Sequence, residues 1–337
     1  MPVQKQNNLV IVGDIGGTNG RLAIASVRHG HEALPKISHM RTYQSTKFAG
    51  LTPMLKAFLN DVKSDIADIG GIDDISDLGD IPARLAIAGP TTADKGWLTN
   101  LGWAVDAPQI AQDLGLGRVK FLNDFAALAY AAAVLEGPQV MDVKKGSAHK
   151  DGPISIMGPG TGFGVALLVR NDNSWTVIPT EGGHMAFSPV TKLEEDLCTH
   201  LRREHGHVSV ETLICGKGLA RIHRFLVEYA GSGDKDMQPA EISAAAHDGT
   251  IPSCVRAVQL FLSILGSVAG DIALVHGATG GVYFGGGILP KIANQLDNSD
   301  IADRFIAKGA MEDYLSQIPI KLITSHNAAL IGAAIAP

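Results

Sequence analysis

Two apolar segments joined by a glycine-rich turn lie near the start of the chain and constrain its fold more than any other feature. The apolar run 9–12 leads into a turn that carries one carboxylate, Asp14, and the chain becomes apolar again over 22–25. Because glycine has no Cβ, the backbone N–H groups of such a turn can approach an anion closely. The pattern predicts a phosphate-holding turn of a nucleotide-using enzyme, and an ordinary hairpin turn is the alternative. The candidate residues are Gly13, Asp14, Ile15, Gly16, Gly17, Thr18 and Asn19.

Length and composition indicate an α/β protein with two domains. A chain of 337 residues exceeds the usual size of one hydrophobic core, which favours two domains with a cleft between them. Hydrophobic residues make up 45% and charged residues 18%, and 39 glycines fit the many turns of an α/β fold. The net charge of -6 argues against nucleic acid or an anionic membrane surface as the main partner. The acidic stretch between Asp61 and Asp80 is interpreted as a solvated edge.

The cysteines and apolar runs indicate a cytoplasmic location. Cys198, Cys215 and Cys254 are odd in number and widely spaced, so they form neither a disulfide framework nor a zinc-ligand pattern. The N-terminal residues show no export signal. The longest apolar region, 255–275, is interrupted by charged residues that a lipid-facing helix would carry at considerable cost. We therefore interpret this region as a buried helix, with no membrane as partner.

A second strand-turn-strand pattern, 154–169, has the same design as the first. Its turn contains Gly160, Thr161 and Gly162 between two apolar runs. Two similar turns, one in each half of a weakly duplicated chain, are able to hold a polyphosphate from both sides of a cleft. A tight hairpin without a ligand is the alternative.

The pair Asn123-Asp124 follows a predicted strand, 119–122, and precedes a predicted helix, 125–135. Ligands of α/β sheets gather at the carboxyl ends of strands, near helix N-termini. The position makes this pair a site candidate, although Asp is also frequent as a helix cap. The other predicted elements are helices at 51–62, 193–205 and 327–335 and strands at 83–88, 175–179 and 320–324.

Two later segments are further candidates for ligand binding. Glu181 and His184 flank a diglycine, so both side chains can point at one polar ligand and recognise hydroxyl groups. A surface turn with an incidental histidine is the alternative. The cluster Gly285-Gly286-Gly287 follows an apolar strand and precedes a predicted helix start at Leu289-Pro290. It is able to admit a flat base or ribose, but close packing of helix on strand requires the same glycines.

Several common motifs are missing from the sequence. The glycine clusters do not have the G-x-G-x-x-G spacing, and the segment 215–218 lacks the upstream glycine and the following Ser or Thr of a P-loop. Neither G-x-S-x-G nor H-E-x-x-H occurs. Dinucleotide binding of the Rossmann type, P-loop, serine-hydrolase and zincin chemistry are therefore disfavoured.

The ordered set of motifs resembles the bacterial glucokinase family across nearly the whole chain. The matching segments are 13–19, 98–100 with Trp103, 122–125, 158–164, 181–184, 207–211 and 285–287. The resemblance implies the actin-like ATPase (ribonuclease H-like) fold, with a small domain of 1–134 plus 325–337 and a large domain of 135–324. It also implies phosphorylation of D-glucose to glucose 6-phosphate by ATP and Mg²⁺ in the cleft between the domains, in a homodimeric protein.

The same resemblance assigns roles to individual residues. Asp124 is similar to the general base, and Asn123, Asp124, Glu181, His184 and Glu211 are similar to the residues that bind the sugar hydroxyls. The turn 13–19 and the residues 160–162 match the two phosphate turns. Gly286 and Gly287 match the adenosine segment, and Asp14 is expected to position Mg²⁺ through water.

One segment departs from the family pattern, and two rival functions stay open. The sequence Cys215-Gly216-Lys217-Gly218 stands where relatives usually show Ser-Gly-Pro-Gly, so ATP affinity or the preferred phosphate donor is in doubt. The chain lacks the cysteine-rich zinc motif of the repressor-type sister family. The rivals are a sugar-responsive regulator and a kinase for a related sugar, such as mannose or an amino sugar.

Overall fold

The structure is a computed structural model that describes residues 8–27, 33–63, 81–172, 174–231 and 236–337. The chain divides into two units, each built around its own sheet. The first unit contains the described residues up to Glu136 together with Ser325–Pro337, and the second contains Gly137–Thr324. Most of the acidic stretch between Asp61 and Asp80 lies outside the described residues, so the interpretation as a solvated edge stays a prediction.

A five-stranded sheet and a small hairpin form the centre of the first unit. The strands are β1 (Asn8–Ile15), β2 (Asn19–Val27), β3 (Lys36–Gln44), β4 (Ala83–Ile87), β5 (Lys95–Leu98), β6 (Trp103–Asp106) and β7 (Val119–Asn123). The sheet order is β3-β2-β1-β4-β7, and β5 pairs with β6. β1 is antiparallel to β2 but parallel to β4, which is parallel to β7. The carboxyl ends of β1, β4 and β7 therefore meet at one edge of the sheet.

Helices cover both faces of this sheet. They are Leu51–Asp61, Ala107–Leu114, Asp124–Ala132 and Ala328–Ile335, with a short 3-10 helix at Ser45–Lys47. Alternate residues of β1 point to opposite faces, so Ile11 packs in one cluster with Phe58 while Val10 packs in another with Leu330. The last helix lies very close to the helix that begins at Asp124, since a Cβ on Gly332 would stand 1.7 Å from the carbonyl oxygen of Ala127.

The second unit is built on a six-stranded sheet. Its strands are β8 (Val140–Lys144), β9 (Ile154–Pro159), β10 (Phe163–Asn171), β11 (Ser174–Thr180), β12 (Gly281–Phe284) and β13 (Ile320–Ile323). The order is β11-β10-β9-β12-β13-β8. β9 is antiparallel to β10 and parallel to β12, so the turn after β9 and the loop after β12 lie at the same edge.

Helices supply most of the core of the second unit. The α-helices are Lys192–His205, Val210–Leu213, Gly216–Ala230, Pro239–His247, Pro252–His276, Ile301–Ile306 and Glu312–Gln317. The 3-10 helices are Gly137–Gln139, Gly182–His184, Leu289–Gln295 and Gly309–Met311. Among the described helices, Pro252–His276 alone is long and apolar enough to cross a membrane, but most of it is buried inside the unit. It is therefore a core helix, as its interrupted apolar sequence predicts.

Most predicted elements are present, two of them differ in extent or type, and several others were not predicted, among them β3, β5, β6, β8 and the helices Ala107–Leu114, Gly216–Ala230 and Pro239–His247. The helix predicted at 125–135 begins at Asp124 and ends at Ala132. The helix predicted to start at Leu289-Pro290 is a 3-10 helix, because the backbone at Ile292 (φ -118°, ψ 20°) departs from helical geometry. The edge strand β3 was not predicted, since its polar sequence lacks a regular alternation of buried residues.

Candidate active site

The first glycine turn connects β1 to β2 and is supported by Ser45. The backbone N–H of Gly16 donates to the carbonyl of Asn19 at 2.9 Å and closes the turn. Ser45 is fully buried; its hydroxyl donates to the Gly16 carbonyl at 2.8 Å and its backbone N–H to the Thr18 carbonyl at 2.9 Å. Within the described part of the chain, the backbone N–H groups of Gly17 and Thr18 have no acceptor. The turn therefore offers free donors to an anion.

Two residues of the predicted set also lie in the packed core of the first unit. Ile15 is fully buried in the core of the first unit. A Cβ on Gly13 would stand 2.7 Å from the Cδ2 atom of Leu85 and 2.9 Å from that of Leu22, so a larger residue here would have to displace these buried side chains. A Cβ on Gly17 would stand 2.9 Å from the Cβ of Asn100, which follows β5 and thus packs against the turn.

Asp14 stands near the end of β1 and is paired with Arg21 of β2. The two residues are opposite each other in the antiparallel register. One guanidinium nitrogen of Arg21 donates to Oδ2 of Asp14, and the other donates to the carbonyl of His326, just before the last helix. Asp14 is half-buried. The ion pair holds the carboxylate in one orientation at the edge of the sheet.

Asn123 and Asp124 stand at the carboxyl end of β7, where the helix begins. The Oδ1 atom of Asn123 accepts from the backbone N–H groups of Phe125 at 2.9 Å and Ala126 at 3.4 Å. Asn123 is thus the N-cap, and the alternative in which Asp124 caps the helix is wrong. Asp124 is the first helical residue, and its Oδ1 atom also lies 2.9 Å from the backbone nitrogen of Phe125.

The carboxyl group of Asp124 is unusually basic. Burial is the main cause that raises the pKa of Asp124 from 3.8 to about 6, and the negative charge of Asp14 adds to it. The backbone N–H of Phe125 acts in the opposite direction and lowers this pKa. The group is ionised at neutral pH yet accepts a proton more readily than an ordinary carboxylate, which suits a general base.

The second glycine turn connects β9 to β10 in the second unit. The backbone N–H of Gly160 donates to the carbonyl of Gly162 at 2.8 Å, so this turn is closed in a similar way to the first. The carbonyl of Gly160 accepts from the backbone N–H of Gly216 at 3.0 Å, at the start of the helix Gly216–Ala230. A Cβ on Gly160 would meet no atom within 4 Å, so the turn faces open space at this residue.

The glycines after β12 pack beside the second turn. Gly286 has a positive φ of 85°, and a Cβ there would stand 2.4 Å from the carbonyl oxygen of Pro159. Gly158 likewise approaches the carbonyl oxygen of Gly285, at 2.1 Å from an added Cβ. Close packing thus requires glycine at 286, whereas an added Cβ on Gly287 would meet nothing within 4 Å.

Glu181 and His184 enclose the short 3-10 helix that follows β11. The backbone N–H of His184 donates to the carbonyl of Glu181 at 3.0 Å. Gly183 is buried, and a Cβ there would stand 2.2 Å from the carbonyl oxygen of Phe163, so this turn packs directly on the start of β10. Both Glu181 and His184 are exposed.

A short ladder brings Glu211 beside this turn. The backbone N–H of Val210 donates to the carbonyl of Met185 at 2.9 Å, and Phe187 donates to Val208 at 2.9 Å. The Oε2 atom of Glu211 accepts from the backbone N–H of Phe163 at 2.8 Å. Glu211 therefore contacts the second glycine turn as well as lying near the Glu181–His184 segment.

The departure from the family pattern at 215–218 has a clear local structure. The Sγ atom of Cys215 caps the helix Gly216–Ala230 by accepting from the backbone N–H of Gly218 at 3.3 Å. Burial raises the pKa of the Cys215 thiol, so it acts as a neutral cap. Lys217 is exposed in the first turn of this helix.

The candidate residues thus form one group in each unit. The first group contains the turn 13–19 with Asn123 and Asp124, and the second contains the turn 160–162, the residues Glu181, His184 and Glu211, and the glycines 286–287. Sequence reasoning missed Ser45 and Arg21. The position of Arg21 opposite Asp14 across a hairpin was available as a signal, but nothing local marks Ser45.

Comparison with known proteins gives a consistent result. The family model described as Glucokinase matches residues 11–337. A glucokinase from Saccharophagus degradans is 37% identical over 324 residues, which cover 96% of each chain. The crystal structure of a glucokinase from an Antarctic psychrotroph is 38% identical with a TM-score of 0.86, and 98% of each chain is covered.

A more distant structure shares the fold. A ROK family glucokinase from Streptomyces griseus, solved in complex with glucose and AMPPNP, is 17% identical with a TM-score of 0.59. That alignment covers 97% of this chain and 98% of the other. These structural neighbours confirm the prediction of a mixed α/β fold of the sugar-kinase type.

Proposed function

We propose, on the premise that this chain belongs to the glucokinase family and phosphorylates glucose with ATP, that Asp124 removes the proton from the 6-hydroxyl of the sugar. Because the chain belongs to this enzyme family, the rival function of a sugar-responsive regulator without catalysis is excluded. The single observation that carries the proposal is the raised pKa of Asp124, about 6, at the carboxyl edge of the first sheet. Glucose is the substrate we propose over related sugars.

The base is needed because a sugar hydroxyl is a weak nucleophile. As the hydroxyl oxygen attacks the γ-phosphoryl group, its proton must leave, and an oriented carboxylate contributes about 10²–10⁴-fold to the rate. Asn123 supports this role, since its Oδ1 atom caps the helix and its side-chain amide nitrogen remains to donate to a sugar hydroxyl.

We also propose that Glu181, His184 and Glu211 bind the sugar hydroxyls. Two carboxylates and an imidazole can accept and donate several hydrogen bonds, and such a site rejects analogues that lack a hydroxyl. Exposure of Glu181 and His184 beside the ladder that carries Glu211 supports the assignment.

The two glycine turns are proposed to hold the ATP phosphates. Gly16, Gly17, Thr18 and Asn19 supply the first turn and Gly160, Thr161 and Gly162 the second, with Gly287 at the adenosine. Free backbone N–H groups at Gly17 and Thr18 support the first assignment. Gly13, Asp14 and Ile15 complete the first turn in this proposal and Gly286 the adenosine segment, as the family resemblance implies; Gly13 and Gly286 also let their neighbours pack closely.

The residues present fit a magnesium ion that is shared with the phosphates. Among the described residues, no group of three or more His, Cys, Asp or Glu side chains is arranged to hold a metal. Mg²⁺ commonly binds through one carboxylate, several waters and the substrate phosphates, which matches the single carboxylate of Asp14. Bound in this way, the ion would neutralise phosphate charge.

We propose a two-domain arrangement for catalysis. The small domain, 1–134 with 325–337, would contribute the base and the first turn, and the large domain, 135–324, the sugar-binding carboxylates and the second turn. Closure of the cleft between them would exclude water from the phosphoryl group. We also propose that the protein is a cytoplasmic homodimer, as the family resemblance implies.

Release of ADP in a coupled assay tests this proposal. Asp124→Asn should retain the fold and lower turnover with glucose by at least about a hundredfold. Asp113→Asn, on the exposed side of the helix Ala107–Leu114, serves as the matched control and should turn over normally. Near-normal turnover of Asp124→Asn would remove Asp124 from the role of base, and a panel of hexoses in the same assay ranks the substrates.

A further inference from the structure

Glu211 contacts the second glycine turn directly, and we propose that it couples occupation of the sugar site to the shape of the nucleotide-binding turn. The inference rests on the proposed assignment of Glu211 to a sugar hydroxyl and of Gly160–Gly162 to the ATP phosphates. It gives Glu211 a second role, as a positioning residue for the nucleotide.

The Glu211 carboxylate lies directly against the backbone of the turn. Its Oε2 atom accepts from the backbone N–H of Phe163, the first residue after the turn, at 2.8 Å. A Cβ added to Gly162 would stand only 2.4 Å from the same Oε2 atom. Glycine at 162 is therefore required for the carboxylate to lie against the backbone, and a hydrogen bond to a carboxylate is stronger than a neutral one.

A second contact ties the same segment to the other side of the turn. The backbone N–H of Gly216 donates to the carbonyl of Gly160 at 3.0 Å. The segment is held in place by a capping box of Ser209 with Thr212 and by Arg221, which donates to the Thr212 carbonyl at 2.9 Å. The segment 209–216 thus contacts the turn at both of its ends.

The sugar-binding side of this segment is equally well fixed. Val210 donates to the Met185 carbonyl at 2.9 Å, which joins Glu211 to the segment of Glu181 and His184. A carboxylate has two oxygen acceptors, so Glu211 can keep Phe163 on Oε2 while Oε1 accepts from a sugar hydroxyl. A bound hydroxyl would then restrict the carboxylate and, through it, the turn.

Glu181 differs from Glu211 in this respect. Hydrogen bonds among the described residues do not connect the Glu181 side chain with residues 160–163. Of the two proposed sugar-binding carboxylates, only Glu211 is hydrogen-bonded to the backbone at the turn, so only Glu211 can transmit sugar binding to the turn in this way. Coupling between two ligands is reciprocal, so glucose should tighten the nucleotide by the factor by which the nucleotide tightens glucose.

The test compares two alanine variants by calorimetry. We measure the Kd of AMPPNP in the presence of Mg²⁺, without glucose and with glucose at ten times the glucose Kd of each variant. In the unaltered protein glucose should tighten AMPPNP by about fivefold or more. Glu211→Ala should reduce this factor to about one, whereas Glu181→Ala, the matched control, should weaken glucose but keep the factor.

A second variant and a second readout distinguish a specific loss of coupling from misfolding. Gly162→Ala leaves both carboxylates in the chain but separates Glu211 from the turn, so it should also lose the coupling factor. Hydrogen exchange with glucose alone should show slower exchange of the peptide 158–166 in the unaltered protein and in Glu181→Ala, but not in Glu211→Ala.

The outcomes separate the inference from the function on which it rests. If Glu211→Ala leaves the glucose Kd unchanged, the assignment of Glu211 to the sugar is wrong. If it weakens glucose but keeps the coupling factor, that assignment stands and the inference is overturned. A coupling factor of one in the unaltered protein, or equal loss in Glu181→Ala and Glu211→Ala, also overturns it.

Discussion

Asn123 caps the helix that Asp124 begins, so the two neighbouring residues have different roles at the end of β7. The amide oxygen of Asn123 accepts from the first free backbone N–H groups of the helix. Asp124 is then not required as a cap, and its half-buried carboxylate sits close enough to Asp14 to be affected by that charge. The arrangement keeps a basic carboxylate at the first helical position, directly after the residue that caps the helix.

The first prediction concerns the dependence of activity on pH. Because burial raises the pKa of Asp124 to about 6, the fraction of ionised base falls when the pH drops below that value. We expect kcat/KM for glucose to be level from about pH 7 to 8 and to fall tenfold per pH unit below about pH 6. The measurement is the pH profile at saturating ATP. An acid limb near pH 4, typical of an ordinary carboxyl group, would contradict the raised pKa.

The second prediction concerns stability. Ionisation of Asp124 should lower the stability of the fold, whereas it should raise activity. The folded-state pKa of Asp124, about 6, is above its ordinary value of 3.8, so the folded protein binds more protons between these values. Ionised Asp124 therefore destabilises the fold above pH 6, and this cost disappears as the pH falls below 3.8. Asp124→Asn should raise the free energy of unfolding at pH 8 by about 1–3 kcal/mol, seen as a higher melting temperature, and much less at pH 4.5.

The control for this measurement is Asp113→Asn, whose carboxylate is exposed. Its melting temperature should stay close to that of the unaltered protein at both pH values. A lower melting temperature of Asp124→Asn at pH 8 would mean that the carboxylate is stabilised in the fold, against the direction of its pKa.

Local sequence signals predicted the glycine turns and the strand-helix junction. An apolar run that ends in glycines, as at 9–16 and 154–162, is recognisable without tertiary information. The junction at Asn123 was likewise marked by a strand followed by alanines. What the local pattern left open was whether Asp124 caps the helix or serves a ligand, because Asp is a good cap.

Other parts of the site depend on contacts between distant residues. Glu211 entered the site only through the family resemblance, since its contact with Phe163 joins residues 48 positions apart. The support of the first turn by Ser45 joins residues 29 positions apart. No periodicity or spacing encodes such contacts, which arise from the packing of whole elements. The glycine at 286 was ambiguous for the same reason, because its neighbour is the backbone of another strand.

The third prediction concerns Ser45 and the first turn. Ser45→Ala removes the hydroxyl that donates to the Gly16 carbonyl, while the backbone bond to Thr18 remains. A loosened turn should raise the KM for ATP several-fold and leave the KM for glucose nearly unchanged. Loss of one buried hydrogen bond should cost about 1–3 kcal/mol of stability.

Ser38→Ala is the matched control for Ser45→Ala. The Ser38 hydroxyl also donates to a backbone carbonyl, that of Ile24 at 3.3 Å, but it stands on β3 away from the turn. Both KM values of this variant should equal those of the unaltered protein. Equal changes in the two KM values of Ser45→Ala would indicate a general loss of folding instead of a role in the turn.

The fourth prediction concerns a buried ion pair in the second unit. The Oε1 atom of Glu194 accepts from Arg304 at 2.7 Å, and its Oε2 atom accepts from the backbone N–H of Val190 at 2.7 Å. The side chains of Glu194 and Arg304 are only 1% and 14% exposed, so neither charge can turn to water when its partner is lost.

Glu194→Ala should therefore lower the free energy of unfolding by about 3–5 kcal/mol, since it leaves the Arg304 charge buried without this partner. Glu195→Ala, one residue along, removes a 57% exposed carboxylate that lies 3.5 Å from Lys192 and should cost less than about 1 kcal/mol. Urea denaturation of both variants measures the difference. Because Glu194 joins the helices Lys192–His205 and Ile301–Ile306, away from the glycine turns, Glu194→Ala should keep its turnover number at 25 °C as long as it is folded. Equal stability losses in the two variants would mean that burial does not decide the strength of this pair.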